Sequence, residues 1–506
     1  METGASAPAR VGRNHRAATR GSGLPPHPSR ACRRDSPSRR GERLRVLNRS
    51  AATPRRAIVG WLLFDWACQP FFTLVLTFVY APYFAAALAP NPVEGQALWG
   101  YATAAAGLAL AVLSPVLGSI ADASGPKKPW IAGAVIILAL ACTALWFAAP
   151  GVPFAIPLAL IAFAMASVAA EVAAVFNNAM MPYLVPPERI GRLSGTGWAV
   201  GYAGGLASLV IVLGFLAASP ATGRTLLGLT PLFGLDAAAR EGDRIAGPLS
   251  AVWLLVFILP LFLFTPDAPP SGRSLTGAVR EGVARLKDTV AEARRDPRLT
   301  RFLVANLLYQ DGLVALFAFG GVYAAGTFGW GAMQLGLFGI LATVTGTAGA
   351  ILGGRLDDRF GPKAVILGAV AVLTLVCLGT LSLGRNHILF VVPTGAGTGA
   401  GLFPTLPDKV FLAFGGVIGA VAGPLQASSR SFLVRLVPRE AAGRYFGLLS
   451  LSGKLTAFLA PLAVALATDL LDTQAAGPAV LIAFFAAGAA LLALSRDAPR
   501  RHDKSA

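Results

Sequence analysis

Three acidic side chains lie where the surrounding sequence is apolar, namely Asp65, Glu171 and Asp311. An ionised side chain at the centre of a membrane helix costs about 2.5 to 3.5 kcal/mol on insertion scales, so such a carboxyl indicates a polar site or a buried pair. These carboxyls could take up and release a proton, since all four histidines fall outside the apolar runs. The structural alternative is an interhelical hydrogen bond or a pair with Lys454, the one basic residue deep in an apolar run.

Neutral polar residues extend two of these positions into stripes. Gln69 and Thr73 follow Asp65 at intervals of four residues, which places the three on one face of a helix. Asn306 and Gln310 occupy the corresponding places 241 residues later. The candidate solute or proton site therefore consists of Asp65, Gln69, Thr73, Glu171, Asn306, Gln310 and Asp311.

A charged turn with the pattern Gly-x-x-x-Asp-x-x-Gly-x-Lys occurs twice, 236 residues apart. Its residues are Gly118, Asp122, Gly125 and Lys127 in the first copy and Gly354, Asp358, Gly361 and Lys363 in the second. An Asp at the end of a helix can accept hydrogen bonds from backbone donors at a neighbouring helix start, or pair with Arg or Lys. The expected cationic partners are Arg430, Arg435 and Arg444. The alternative is a solvated turn that only sets topology.

A second segment is also duplicated. Residues 184–192 match residues 436–444 at six of nine positions, 252 residues apart. Six apolar runs separate the two copies of this segment, and six separate the two charged turns, so both copies of each motif face the same side. The chain is therefore expected to form two parallel repeats related by an axis along the membrane normal.

The apolar runs between these motifs have the length of membrane helices. Hydrophobic residues make up 55% of the 506 residues and charged residues 13%, against roughly a quarter charged in soluble chains. A run of about 20 apolar residues is long enough to cross a bilayer. The predicted fold is an all-α polytopic membrane protein with twelve transmembrane helices, near residues 57–89, 96–120, 129–149, 153–178, 193–217, 247–265, 301–327, 332–353, 364–384, 407–429, 445–468 and 478–495. The first helix is expected to bend near Pro70 or Pro82.

The basic residues indicate how the chain is oriented. If the N-terminus is inside, 37 of the 43 Lys and Arg residues fall in inside segments and five in outside loops. The positive-inside bias therefore predicts a protein of the cytoplasmic (inner) membrane with both termini cytoplasmic. The expected organisation is a disordered Arg-rich tail (1–56), a six-helix half (57–265), a cytoplasmic linker (266–300), a second six-helix half (301–495) and a C-terminal tail (496–506). The first tail could instead be an organelle presequence or result from a misassigned start codon.

Several function classes lack support in the sequence. The four cysteines show no CxxC or Cys/His spacing, so no metal site is expected. Neither a Walker-type phosphate loop nor a GxSxG or HExxH pattern occurs, so we expect no ATP-driven step, no enzymatic activity and no cofactor. The net charge of +18 is not interleaved with aromatic residues on a folded face, so a nucleic-acid partner is not expected.

The repeated turn, the arrangement in two sets of six helices and the charged central linker resemble the major facilitator superfamily. The stretches FDWA at 64–67 and LYQDG at 308–312 are similar to the first and seventh spans of its Atg22-type, or UMF1, branch. CQP at 68–70 replaces the Asn-Ser-Ala that is typical of that branch, on a stretch expected to face the pore.

This resemblance implies a function and roles for both sets of residues. It implies a secondary active transporter for a small solute, of the class of amino acids or related metabolites, with efflux favoured. A proton or other coupling ion and the lipid bilayer are the implied partners, with the monomer as the functional unit. Spans 1, 4, 7 and 10 line the central cavity in that superfamily, so the two polar stripes are expected to face each other across it.

The resemblance also implies that the charged turns latch the two halves on the cytoplasmic side when the protein faces outward. The alternative function is a non-transporting membrane sensor or scaffold that retains the same fold.

Overall fold

The computed structural model describes residues 53–90, 92–220, 222–269, 280, 288–328, 330, 332–384, 387–394, 403–454, 459–471 and 476–495. The expected N-terminal tail up to residue 52, residues 270–279 and 281–287 of the expected linker and the expected C-terminal tail (496–506) lie outside the described residues.

The first half of the chain forms six long helical segments. They are α1 (Arg55–Leu88), α2 (Pro92–Ser124), α3 (Lys128–Phe147), α4 (Ala155–Tyr183), α5 (Pro187–Leu216) and α6 (Glu241–Phe264). In α1 the geometry changes from α- to π-helical at Phe71, directly after Pro70, and again at Phe84, two residues after Pro82. Proline lacks a backbone donor and crowds the preceding turn, so the irregular geometry occurs where a bend was expected.

Among its described residues, the second half contains seven long helical segments. They are α7 (Pro297–Phe328), α8 (Ala332–Phe360), α9 (Pro362–Leu381), α10 (Leu406–Leu436), α11 (Ala442–Lys454), α12 (Leu459–Leu471) and α13 (Ala476–Ala493). Together, α11 and α12 occupy the predicted eleventh span. A small hairpin of β1 (His387–Ile388) and β2 (Val392–Pro393), paired antiparallel, lies between α9 and α10.

The two helix pairs with the most extensive contacts between the halves are equivalent under the internal repeat. Within the halves, α3 packs on α4 and α1 on α5, while α8 packs on α10 and α7 on α13. Across the halves, α2 packs against α11 and α5 against α8. The charged turns follow α2 and α8, and the second repeated segment leads into α5 and α11. Both duplicated motifs therefore lie at the contacts between the halves.

The prediction of an all-α polytopic membrane fold is confirmed. Nine helices within the described residues are long and apolar enough to cross a membrane. A helical segment also occupies each of the twelve predicted spans. The number of twelve crossings stays a prediction. Large apolar side chains such as Leu140 and Ile161 lie exposed on the outer surface, as expected for helices surrounded by lipid.

Several helices extend past the limits that hydropathy predicts. α2 ends at Ser124 rather than near residue 120, and α10 ends at Leu436 rather than near residue 429. α7 begins at Pro297, inside the predicted linker. A hydropathy limit marks the edge of the lipid, whereas a helix continues for as long as its backbone hydrogen bonds are satisfied. The extension of α10 moves Arg430 from the predicted turn into a helix.

Candidate functional site

The charged turn at the end of α2 meets the start of α11 in the other half. The carboxylate of Asp122 accepts hydrogen bonds from the backbone nitrogens of Gly443 and Arg444, each at 2.9 Å. These donors belong to the first turn of α11, where the N–H groups have no partner within the helix. A carboxylate at this position is stabilised both by the hydrogen bonds and by the helix dipole.

The same arrangement recurs, with the halves exchanged, at the end of α8. Asp358 accepts a hydrogen bond from the backbone nitrogen of Arg192 at 3.1 Å, and Nε of that arginine lies 3.4 Å from its carboxylate. Arg192 lies near the start of α5. Each charged turn thus docks on the second repeated segment of the opposite half. We call these two contacts the crossed latches, and the end of the bundle that holds them the latch end.

Glycines let the two backbones approach each other in both crossed latches. A Cβ atom on Gly118 would lie 2.3 Å from the carbonyl oxygen of Gly443. A Cβ atom on Gly354 would lie 2.8 Å from the carbonyl oxygen of Gly191. Any larger residue at these two positions would push the halves apart, because the atom it meets is rigid backbone.

The other two motif glycines end the helices that carry the latches. Gly125 and Gly361 have φ angles of 82° and 91°, in the left-handed region that residues with a Cβ rarely adopt. The backbone nitrogen of Gly361 donates to the carbonyl oxygen of Asp357 at 2.8 Å. A glycine in this conformation is a common helix stop. All four glycines of the pattern therefore have a backbone role.

The motif lysines bind within their own halves. Lys127 Nζ donates to the carbonyl oxygen of Gly125 at 2.6 Å, and Lys363 Nζ donates to a carbonyl oxygen just after α13 at 2.6 Å. Burial lowers the pKa of Lys127, and the nearby carboxylates of Asp122 and Asp267 oppose that change. Within the two charged turns, the motif aspartates thus make the hydrogen bonds to the other half, whereas the lysines bond within their own half.

Arg430 does not lie in the turn where it was expected as a partner of the motif aspartates. It belongs to α10 and is buried. Its guanidinium donates to Asn178 Oδ1 at 3.1 Å and to the hydroxyl and carbonyl oxygens of Ser194 at 3.0 and 2.9 Å. Both partners are in the first half. The expectation is corrected because α10 is longer than its apolar run, so Arg430 bridges the halves from within a helix.

Asp65 lies in the same buried region as Arg430. Its Oδ2 atom is 4.0 Å from Nη1 of Arg430. Among the described residues, this oxygen has no hydrogen-bond donor. A Cβ atom on Gly197 of α5 would come within 2.6 Å of it. Asp65 and Arg430 thus form a largely buried charge pair between the two halves.

The rest of the α1 stripe faces a cavity. Gln69 and Thr73 line a space of about 160 Å³, together with Tyr202 of α5 and Thr343 of α8. Its other lining residues are Phe72, Leu76, Thr77, Phe78, Leu206 and Leu209. Both halves contribute to this lining, and none of the lining residues is charged. The space could hold a small molecule, or the uncharged part of one.

Two polar residues of α7, Asn306 and Asp311, contact α11 and α12. Asn306 Nδ2 donates to Ser452 Oγ at 2.9 Å. Asp311 accepts a hydrogen bond from the backbone nitrogen of Ala460 at 2.9 Å. Ala460 belongs to α12, and its backbone N–H is directed at this carboxylate. These contacts differ from the expected direct apposition of the two stripes, because α11 and α12 offer Asn306 and Asp311 closer hydrogen-bond partners.

Two further candidates have a less defined environment. Gln310 and Glu171 are half-buried, on α7 and α4 respectively. The side chain of Lys454, the expected alternative partner for the carboxylates, lies outside the described residues. The roles of Gln310 and Glu171 stay predictions.

A buried ion pair that sequence reasoning missed supports the second crossed latch. Asp357 is fully buried, and its Oδ1 lies 2.7 Å from Nη2 of Arg435. It also accepts a hydrogen bond from Ser431. Arg435 therefore pairs with Asp357, not with a motif aspartate. Ala121 stands at the equivalent place in the first copy, so a comparison of the repeats points away from this position. The adjacent pair Asp357 and Asp358, just before the turn at Gly361, is the feature of the sequence that could have indicated this ion pair.

Comparisons with known proteins find relatives over most of the chain. The family model described as "Vacuole effluxer Atg22 like" matches residues 85–504. The "Uncharacterized MFS-type transporter YxiO" of Bacillus subtilis is 24% identical over 437 residues, which cover 86% of this chain and 93% of that protein. Autophagy-related protein 22 of Cryptococcus neoformans is 25% identical over 295 residues, covering 55% of this chain and 48% of that protein. The match thus spans about half the length of this fungal relative.

Solved structures with the same architecture include two transporters. The Escherichia coli fucose:proton symporter FucP, in its outward conformation, has a TM-score of 0.63 at 14% identity, covering 88% of this chain and 99% of FucP. The human organic anion transporter MFSD10 (TETRAN) has a TM-score of 0.62 at 15% identity, covering 87% and 99%. At such low identity the similarity concerns the fold alone, which is that of the major facilitator superfamily.

Proposed function

This chain belongs to the vacuole effluxer Atg22-like family, and from that premise we propose that it is a transporter that moves a small solute by alternating access. In this mechanism the two halves rock about a central site and expose it to each side of the membrane in turn. The chain is an integral multi-pass membrane protein with the major facilitator fold. We propose that it works as a monomer in the cytoplasmic membrane, with both termini cytoplasmic.

The crossed latches are the observation that carries this proposal. Every hydrogen bond in them joins one half to the other, so they can form only while the latch end is closed. Opening would return the carboxylates and the N–H groups to water. That exchange costs little, because a hydrogen bond to a charged group contributes only about 1.5–3 kcal/mol net. Contacts of this strength suit a gate that opens and closes. The excess of basic residues at the latch end favours a cytoplasmic location for it, and the proposed conformation is therefore closed on the cytoplasmic side.

Proton coupling is proposed to act through Asp65 and Arg430. The ionised carboxylate of Asp65 attracts the guanidinium, which also donates hydrogen bonds to Ser194 and Asn178. Protonation of Asp65 would remove that attraction and weaken the bridge between the halves. Asp311 is the second candidate, because it too is buried at a junction of helices. A change of charge at either carboxyl would thus bias the equilibrium between conformations.

The proposed solute is an amino acid or a related small metabolite, and the proposed direction is efflux. The family description names an effluxer. The cavity of about 160 Å³ beside Gln69 and Thr73 also fits a small molecule better than a polymer or a lipid. Its mixed lining of hydroxyl, amide and apolar side chains is typical of sites for small organic solutes.

A flux assay in proteoliposomes tests the function. The solute is first identified by comparing the metabolite profiles of cells with and without the protein, and its flux is then measured with and without a pH gradient. Asp65→Asn and Asp311→Asn are expected to abolish the flux driven by the pH gradient. Asp236→Asn, in an exposed loop away from the latch end, is the matched control and is expected to leave it unchanged. Undiminished coupled flux in both site variants would refute the two assignments. Solute binding that stabilises the protein against heat, without any flux, would instead support the sensor or scaffold.

A further inference from the structure

We propose that three apolar loop tips at the end of the bundle away from the latches insert into the headgroup boundary of the bilayer. They are Phe154 between α3 and α4, Leu226 between α5 and α6, and Phe390 between α9 and α10. Successive membrane helices run in opposite directions, so these loops lie at the end opposite the charged turns, which follow α2 and α8. The tips belong to both halves and would hold each half at a fixed depth in one leaflet.

Each tip presents a large apolar side chain on the surface. The exposed fractions are 83% for Phe154, 69% for Leu226 and 65% for Phe390. Neighbouring apolar residues are exposed as well, such as Phe233 at 88% and Val391 at 80%. If these loops lay in water, they would expose a cluster of apolar side chains to it, which is unfavourable. The headgroup boundary of a bilayer accommodates such side chains.

Backbone hydrogen bonds hold the tips beside the ends of membrane helices. The carbonyl oxygen of Phe154 accepts from the backbone nitrogen of Leu158, in the first turn of α4, at 3.0 Å. The backbone nitrogen of Leu226 donates to the carbonyl oxygen of Leu213, in the last turns of α5, at 3.0 Å. The tips therefore lie at the level of the helix ends and do not project far into the solvent.

The third tip is held in the same way. The backbone nitrogen of Phe390 donates at 3.0 Å to the carbonyl oxygen of Ser382, directly after α9. The β1–β2 hairpin thus folds back onto the end of its own helix. Each of the three tips is thus held by a backbone hydrogen bond beside the end of a membrane helix, in three different loops.

One tip continues a lipid-facing stripe. Phe154, Leu158, Ile161 and Met165 follow one another at intervals of four, three and four residues and share one face of α4. The structure leaves all four exposed. In a membrane protein this face contacts lipid. Because Phe154 extends the stripe past the start of the helix, the bilayer is the occupant that is continuous with an existing interface.

The backbone conformation of the tips also points to a function. Five non-glycine residues of the described chain have positive φ, and four of them are large apolar residues in these loops, namely Phe154 (62°), Phe233 (62°), Leu389 (51°) and Phe390 (68°). Such conformations are strained for residues with a Cβ and are usually filled by glycine or asparagine. A bulky apolar side chain offsets this strain only where it is transferred from water into apolar surroundings.

Fluorescence quenching in membranes tests this proposal. The full chain carries Cys32→Ser, while Cys68, Cys142 and Cys377 stay in place because they are buried. Phe154→Cys, Leu226→Cys and Phe390→Cys are made one at a time, labelled with bimane and reconstituted into phosphatidylcholine vesicles. Ala238→Cys, an exposed position in the loop between α5 and α6, is the matched control. The Cys32→Ser protein without an introduced cysteine measures how far the three buried thiols are labelled.

At least two of the three tip labels are expected to lose about half or more of their fluorescence to lipids that carry a nitroxide near the headgroup, and to resist aqueous iodide. The control label is expected to show the opposite pattern. The proposal is overturned if two tips are quenched by iodide like the control, which would indicate a free surface for a soluble partner. It is also overturned if two tips resist both quenchers, which would indicate that protein, such as a second copy of the chain, covers them.

Discussion

The carboxylate of Asp122 accepts a hydrogen bond at 2.9 Å from the backbone nitrogen of Arg444, 322 residues further along the chain. The contact joins the charged turn of the first half to the second repeated segment of the other half, so the two duplicated motifs bind each other. Asp358 and Arg192 repeat it with the halves exchanged. Both latches join the two halves at the same end, so we expect this end to open only when both of them break.

Removing a latch carboxylate should favour the open latch end. Asp122→Ala deletes two hydrogen bonds to backbone donors, and a bond to a charged group contributes about 1.5–3 kcal/mol. We therefore expect alkylation of a cysteine introduced at Ser119, a buried position of α2 beside Asp122, to become at least about tenfold faster, since 1.4 kcal/mol corresponds to a factor of ten. The readout is the rate of modification by a membrane-impermeant maleimide. Asp236→Ala is the control, and equal rates in both variants would contradict the latch.

Adding a methyl group at a latch glycine should prevent tight closure. Gly118→Ala would place its Cβ 2.3 Å from the carbonyl oxygen of Gly443, whereas a Cβ at Gly133 of α3 meets nothing within 4 Å. Overpacking typically costs about 1–3 kcal/mol. Thermal unfolding in detergent should therefore show a lower midpoint for Gly118→Ala than for Gly133→Ala. If the two variants unfold alike, the close approach at Gly118 does not contribute to the closed state.

The charge pair of Asp65 and Arg430 should behave as a coupled unit. Arg430→Gln leaves a buried carboxylate without its cation, and breaking a buried pair costs about 3–5 kcal/mol. Adding Asp65→Asn to that variant removes the unpaired charge and should restore part of the loss. A double-mutant cycle on the free energy of unfolding should give a coupling energy of about 0.5–3 kcal/mol, the range for residues in contact. Strictly additive effects would show that the two side chains act independently.

Asp357 should matter more for stability than its neighbour Asp358. Asp357 is fully buried and pairs with Arg435 at 2.7 Å, whereas Asp358 pairs with an arginine whose side chain is 63% exposed. We expect Asp357→Ala to lower the free energy of unfolding by about 3–5 kcal/mol, because Arg435 is left unpaired, whereas an exposed pair contributes about 1 kcal/mol or less. Denaturation of the two variants in the same detergent compares them directly. Equal losses would contradict the assignment of Asp357 as the support of the second latch.

Much of the architecture follows from the sequence, because membrane helices are coded by local composition. The apolar runs predicted the positions of the helical segments. The helix dipole explained why an aspartate should bind at the start of a neighbouring helix. The partner of that aspartate could not be derived in the same way. Asp122 and Gly443 are 321 residues apart, and only the packing of α2 on α11 brings them together.

The predictions for three residues differ from the structure, each for a specific physical reason. Arg430 was assigned to a turn because hydropathy ends where the lipid ends, although the helix continues. Asp311 was expected to face the α1 stripe, but the backbone N–H of Ala460 in α12 donates to it instead. Asp357 was missed because the repeat places an alanine at its equivalent position. In each case the deciding partner is distant in sequence.

The most direct test of the gate is the distance between the two halves at the latch end. Spin labels at Glu188→Cys and Arg439→Cys, both exposed and in opposite halves, report it by double electron–electron resonance in lipid nanodiscs. With both latches intact, we expect one short, narrow distance distribution. Adding Asp122→Ala and Asp358→Ala together should create a second population at longer distance. An unchanged distribution in the folded double variant would contradict the claim that the crossed latches hold this end closed.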